Sequence, residues 1–187
     1  MKYEVLIYGN AVLRKKAVPV RKIDDSIRQL AKDMLSTMYL SHGVGLAAEQ
    51  VGRTEAVCVI DVPSDLDSRE KGGPRDNPHI RMPMALVNPK IIAETGEQSS
   101  QEGCLSFPEI FVTLSRPYEV TVAFTGLDNR ERTETVRGYV ARAVLHEMDH
   151  LNGVLLVDRM STIQKLTMAT KLKRLKKEAK AKQMESR

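Results

Sequence analysis

Apolar residues recur at steps of three and four in three stretches of the chain, and each stretch predicts a helix. In the first, Ile27, Leu30, Ala31, Met34, Leu35 and Met38 form one stripe. Asp24, Asp25 or Ser26 can cap its start, and His42-Gly43 closes it, since glycine supplies a left-handed residue. In the second, Val140, Ala141, Val144, Leu145, Met148 and Leu151 spread around the helix, so most of its faces are buried, and Asn152-Gly153 ends it. In the third, Met168, Leu172, Leu175 and Ala179 make a narrow stripe beneath dense lysines, with Ser161 and Gln164 as a capping box in front.

Other stretches read as strands. Residues 56–61 are a short apolar run that suits a buried strand, with Cys58 as a small core hydrophobe. Residues 86–88 and 90–93 flank Pro89, which implies a sheet edge or a bulge there. Residues 110–114 and 118–124 follow, the latter with Val120, Val122 and Phe124 alternating to one side. Asp128-Asn129 turns the chain, and 133–137 return it as an antiparallel partner. Residues 9–14 and 18–20 have no steady period and read as an extended arm. The small residues of 43–52 read as a tight turn, and the polar run 63–83, with a solvated His79, reads as a surface excursion. Strands with one central and two flanking helices make an α+β domain of antiparallel or mixed sheets.

Composition narrows the class. No apolar run approaches the ~20 residues of a membrane helix. The start is too short and too acidic for a signal peptide, so the sequence reads as cytoplasmic. Two cysteines, Cys58 and Cys104, cannot build a disulfide framework. Charge is uneven: from Ser161 onward nine Lys and Arg stand against Glu178 and Glu185, so this segment carries +7 and the rest −2 of a total of +5. The division that follows is a body at 1–160 and a basic helix or tail at 161–187, whose lysines either face solvent or bind phosphates.

The second helix carries chemistry. His146 and His150, four apart, aim their imidazoles at one point, with Glu147 beside them. A catalytic ion needs a third protein ligand and an open position for water. Cys104, between Gly103 and Pro108 on a turn or strand end, is the best candidate; a Cys-His-His set suits a divalent ion such as zinc or ferrous iron. Water at such a site is acidified from ~15.7 toward ~7. Glu147 is placed to take its proton and pass it to a departing amine, which makes the chemistry hydrolysis of an amide-like bond. The rival is a zinc metallopeptidase, but a common continuation of that motif ends in His where this chain has Leu156. A second rival, a ribosome- or RNA-binding factor without catalysis, leaves the metal constellation unexplained.

Three separated stretches, Gly43-Val44-Gly45-Leu46-Ala47-Ala48-Glu49-Gln50, Glu102-Gly103-Cys104-Leu105-Ser106 and His146-Glu147-Met148-Asp149-His150-Leu151, resemble in order the three signature motifs of the peptide deformylases. The resemblance runs to about Met160. It implies removal of the formyl group from the N-terminal formyl-methionine of new polypeptides, with release of formate. Cys104, His146 and His150 would hold the metal and Glu147 would be the acid/base, while the Gln50 side-chain amide and the Leu105 N–H would donate to the oxyanion. The implied ion is usually Fe(II), with zinc, nickel or cobalt able to take its place. Two positions depart from the family pattern: Glu49, where Pro or Thr is frequent, and Leu145, where Gln is usual. Val44, Tyr139, Arg142 and Ala143 are the expected walls of a methionine pocket, and the peptide backbone is expected to add a strand along Val44, Gly45 and Leu46. Glu102 is expected to pair with Arg116 and hold the cysteine loop. The resemblance also implies ribosome docking through the terminal helix, without sequence-specific nucleic-acid recognition.

Overall fold

Alternation of side chains along one short strand sets the layering. A computed structural model describes residues 3–70 and 72–185. In strand β2 (Val57–Ile60) all four residues are buried. Val57 and Val59 join a cluster with Ile27, Leu30, Ala31, Met34 and Met38 of helix α1 (Asp25–Leu40). Cys58 and Ile60 point the other way, into a cluster with Val140, Ala141, Val144 and Leu145 of helix α2 (Gly138–Leu151). Successive strand residues face opposite sides, so the sheet separates α1 from α2. Full burial of each large aliphatic side chain contributes roughly 1.5–3 kcal/mol.

The remaining strands are β1 (Gly45–Ala47), β3 (Met84–Thr95), β4 (Gln98–Gly103), β5 (Phe111–Arg116), β6 (Glu119–Thr125) and β7 (Glu131–Arg137). The larger sheet runs β1-β2-β3-β6-β7 and the smaller is the hairpin β4-β5. Among the described residues every strand pairing is antiparallel, and a parallel bridge joins Val18 to Glu55. The chain thus has the expected α+β architecture around the histidine-bearing helix. Among the described residues no helix is long and apolar enough to cross a membrane.

Local differences from the sequence reading have physical causes. Residues 11–14 are not extended: Ala11–Arg14 is a 3-10 turn, nucleated by the Asn10 side chain accepting from the Val12 N–H at 3.0 Å. At the end of α1 the left-handed residue is His42, with φ 56°. Gly43 serves close approach instead, since a Cβ there would lie 2.7 Å from the Leu105 side chain. At Pro89 the expected bulge does form, between Val87 and Lys90 of β3, which pairs with β2 and β6. The Asn88 side chain compensates by bonding the Val20 backbone twice, at 2.8 Å each way. The excursion 63–83 is anchored: buried Asn77 donates to the Arg137 carbonyl at 3.1 Å and accepts from the Arg137 N–H at 2.8 Å, at the entrance to α2.

After α2 come α3 (Leu156–Arg159), α4 (Thr162–Thr167) and α5 (Ala169–Glu185). The terminal helix is therefore interrupted at Met168, while the capping box of Ser161 and Gln164 forms as expected. Leu172 and Leu175 pack with Phe107, Ile110, Val112, Leu155 and Tyr8, so α5 lies against the loop that follows Cys104.

Candidate metal centre and active site

Helix α2 and the end of β4 converge on one point. Cys104 follows the last residue of β4, and its Sγ lies 3.2 Å from His150 Nε2. The ligand atoms of Cys104, His146 and His150 all lie within 4.8 Å of one another. A thiolate and two imidazoles form a donor set for a borderline-soft divalent ion. The environment agrees. Burial holds His150 well below the usual histidine range, which keeps its ring neutral and able to ligate. Its Nδ1 is buried without a partner among the described residues, so Nε2 is the atom engaged in the cluster.

His146 is oriented by a carboxylate. Its Nδ1 lies 3.2 Å from Glu102 Oε2, leaving Nε2 as the ring atom for a metal. A carboxylate behind a ligating imidazole fixes the ring and raises its basicity. Burial disfavours the imidazolium, but the Cys104 sulfur and Glu102 outweigh it and lift the His146 pKa. Glu102 is itself the hub of a buried ion cluster. Arg116 grips it bidentately, 2.9 Å to each oxygen, and Arg142 Nη1 reaches Oε1 at 2.6 Å. Arg116 extends the chain to Asp149 at 2.7 Å, and Arg159 closes it from outside. Although buried, Glu102 is held below the ordinary carboxylate range by His146 and Arg116. The expected Glu102–Arg116 pair is present and larger than expected, since it links β4, β5, α2 and the last residue of α3.

Glu147 sits beside the ligand trio at 3% exposure, with Oε2 unpartnered among the described residues. Burial lifts its carboxyl to about 7. Gly45 leaves room opposite it, because a Cβ at that position would push the Glu147 carboxylate aside. Gln50 closes the site from a 3-10 turn, Ala48–Val51. Its Nε2 is 3.7 Å from Cys104 Sγ.

A cleft of about 420 Å³ opens over these groups. Val44, Gly45, Gln50, Cys104, Leu105, Tyr139, Arg142, Ala143, His146 and Glu147 line it. Leu46 does not line it: its side chain is fully buried against α1, and only its strand position relates it to the site. Arg142 contributes its flank, while its guanidinium belongs to the Glu102 cluster. Sequence reasoning missed Phe107, Glu109 and Phe111 on the cleft wall, and buried Ser106 beneath Gln50. Ser106 stood inside a quoted motif, so its position was available as a signal. Phe107 and Glu109 follow it on a loop without periodicity, and Phe111 opens β5.

Glu49, the unusual motif residue, is fully buried, and neither carboxylate oxygen has a hydrogen-bond partner among the described residues. Burial raises its pKa to about 8, offset in part by its own backbone N–H, whose contact is too poorly aligned to count as a hydrogen bond, with Glu147 adding a smaller repulsion.

A family model described as polypeptide deformylase matches residues 2–166. Similar curated proteins include the peptide deformylase of Thermotoga petrophila, 39% identical over 91% of this chain and 94% of that protein. Another is the peptide deformylase of Synechococcus sp. RCC307, 41% identical over 89% of this chain and 77% of its own length. Among solved structures, a peptide deformylase from Legionella pneumophila is 34% identical with a TM-score of 0.79, covering 100% of this chain and 99% of that one. That of Thermotoga maritima is 38% identical with a TM-score of 0.74, covering 86% and 99%. Sequence, fold and the converging Cys-His-His group agree: the chain belongs to the polypeptide deformylase family.

Proposed function

We propose that the cleft hydrolyses the N-formyl group of formyl-methionyl polypeptides, with Cys104, His146 and His150 as ligands of one ion and Glu147 as acid and base. The observation that carries this assignment of roles is Glu147: a buried carboxyl with a free oxygen, on the cleft wall and next in sequence to a ligand histidine. When bound, a divalent ion supplies Lewis-acid activation of water and of the formyl carbonyl at neutral pH. Fe(II) is the ion this reading favours, with Zn(II), Ni(II) or Co(II) as substitutes; one thiolate and two imidazoles suit all four.

The protein's own groups then account for the proton and the charge. Glu147 accepts the proton of the attacking water as the C–O bond forms. It returns a proton to the nitrogen as the C–N bond breaks, leaving formate and a free amine. A carboxyl with a pKa near the working pH is effective in both directions. The Gln50 amide and the Leu105 N–H donate to the oxygen of the tetrahedral species, where each such donor is worth about 2.7–4 kcal/mol.

Substrate placement follows from the sheet. β1 pairs with β2 on one side and is the outermost strand of its sheet, so its other edge, at Val44, Gly45 and Leu46, is available to an extended peptide. Main-chain pairing makes residues beyond the first few nearly interchangeable. The methionine side chain enters beside Ala143, between Tyr139 and the flank of Arg142. Lys173, Lys177 and Lys180 of α5 are exposed and suit the phosphates of a ribosome, while Lys171, Lys176 and Lys182 lie against Glu109, Tyr8 and Glu4. A cytoplasmic place of work fits this reading. Formate release from formyl-Met-Ala-Ser by anaerobically purified protein tests the proposal. Loss of release with a chelator and its return with Fe(II) are expected, and release that ignores the chelator contradicts it.

A further inference from the structure

Gln50 is a primary amide, and its usefulness as a donor depends on which way the amide is turned. Three contacts decide this. Oε1 accepts from the Ala47 N–H at 2.9 Å, so both amide protons are on the opposite side. There Nε2 lies 3.2 Å from Ser106 Oγ and 3.7 Å from Cys104 Sγ. Ser106 is fully buried and does not line the cleft. The backbones of these two residues are also tied together by one short segment. Leu6 N–H donates to the Gln50 carbonyl at 2.7 Å, and Tyr8 N–H donates to the Ser106 carbonyl at 2.9 Å.

We propose that Ser106 is a positioning residue: its hydroxyl takes one amide proton of Gln50 and so aims the other at the oxygen that becomes charged during hydrolysis. This rests on the oxyanion role proposed for Gln50. The physical reason is competition for a small number of donors. With the hydroxyl in place, one N–H is satisfied in the interior, and the second, held only by the long 3.7 Å contact to Cys104 Sγ, can turn to an oxygen in the cleft. Without it, a buried amide proton has lost its acceptor, which is costly enough to turn the group. The acceptor that remains is the Cys104 sulfur, already 3.7 Å away, and the amide would close onto it. A donor drawn onto that sulfur is withdrawn from the transition state, and electron density is withdrawn from the thiolate as well.

The test compares Ser106→Ala, Gln50→Ala and the double variant, each with its metal content measured. The readouts are kcat, KM and the affinity for a peptide whose formyl carbonyl is replaced by a tetrahedral H-phosphonate, set against affinity for the product Met-Ala-Ser. Removing a complete oxyanion donor costs roughly a hundredfold to a thousandfold in kcat, so Gln50→Ala should show a loss of that size. Ser106→Ala should lower kcat and the phosphonate affinity about tenfold, a fraction of that loss. KM and product affinity should stay unchanged, and in the Gln50→Ala background Ser106→Ala should add nothing. If Gln50→Ala leaves kcat intact, the oxyanion role fails and the proposal with it. If Gln50→Ala behaves as expected but Ser106→Ala matches the parent, or acts equally in both backgrounds, the positioning role alone is overturned. Ser106→Gly replaces Ser106→Ala should the latter not fold.

Discussion

Glu102 and Glu49 are both buried carboxyl groups near the metal centre, and their surroundings drive them in opposite directions. Glu102 receives two guanidinium groups and an imidazole and is held ionised. Glu49, with no hydrogen-bond partner among the described residues, is pushed up to about 8 and stays protonated at neutral pH. Burial is therefore a poor guide to charge state by itself. What decides is whether the surrounding elements converge opposite charge and donors on the group. In the first case the result is an anchor for a metal-binding imidazole; in the second it is a destabilising element that the rest of the core tolerates.

The most severe way to break this contrast is Glu102→Gln. It leaves Arg116 and Arg142, at 6% and 3% exposure, without their central counter-charge. Removing one partner of a buried ion cluster costs about 3–5 kcal/mol, read as a lower urea midpoint. Loss of the carboxylate behind a ligand histidine should also weaken metal affinity by about tenfold to a hundredfold, read by chelator competition.

Glu49→Gln probes the other side. The folded pKa of Glu49 is about 8, against 4.5 for an unperturbed carboxyl. Between those values the unfolded chain has released this proton while the folded chain keeps it. The contribution to stability is therefore full below pH 4.5, falls as pH rises, and levels off above about 8. At pH 7 the loss is about 3 kcal/mol, on a scale of about 1.4 kcal/mol per pH unit. Glu49→Gln, which cannot ionise, should match the parent near pH 4 and exceed it at pH 7 in denaturant melts. An identical pH dependence in both proteins would remove the contrast.

Arg116→Ala sharpens the comparison with a smaller effect. Glu102 retains Arg142 and His146, and Asp149 retains Arg159, so the expected loss is about 2 kcal/mol, in the range of a hydrogen-bonded charged contact. A loss as large as that of Glu102→Gln would show that Arg116, rather than Glu102, is the hub.

How much of this was legible beforehand follows from the range of the interactions. Helices α1 and α2, with the turn of α2 carrying His146, Glu147 and His150, are written in periodicity, a local property, and form as read, whereas the terminal helix is divided at Met168 into α4 and α5. Cys104 was identifiable as the third member of the candidate group because chemistry demanded one and its neighbourhood offered a turn, and it does meet the two histidines. Strand β4 escaped because its sequence, Gln-Ser-Ser-Gln-Glu-Gly, is polar, and only Glu102 in it is buried. Its strand character comes from pairing with β5. The direct partners of Glu102 lie up to 44 positions away, which periodicity does not reveal. Arg142 shows the same limit: its helix position placed it on the cleft wall, yet its charged end serves the cluster.

The central claim is that a sulfur from the end of β4 and two imidazoles from α2 share one ion. X-ray absorption at the metal edge of the anaerobically purified protein, loaded with one equivalent of zinc, tests it most directly. The account predicts one sulfur at about 2.3 Å and two imidazole nitrogens at about 2.0–2.1 Å, with the sulfur absent in Cys104→Ala. A first shell free of sulfur in the parent protein, or a sulfur that persists in Cys104→Ala, would contradict it.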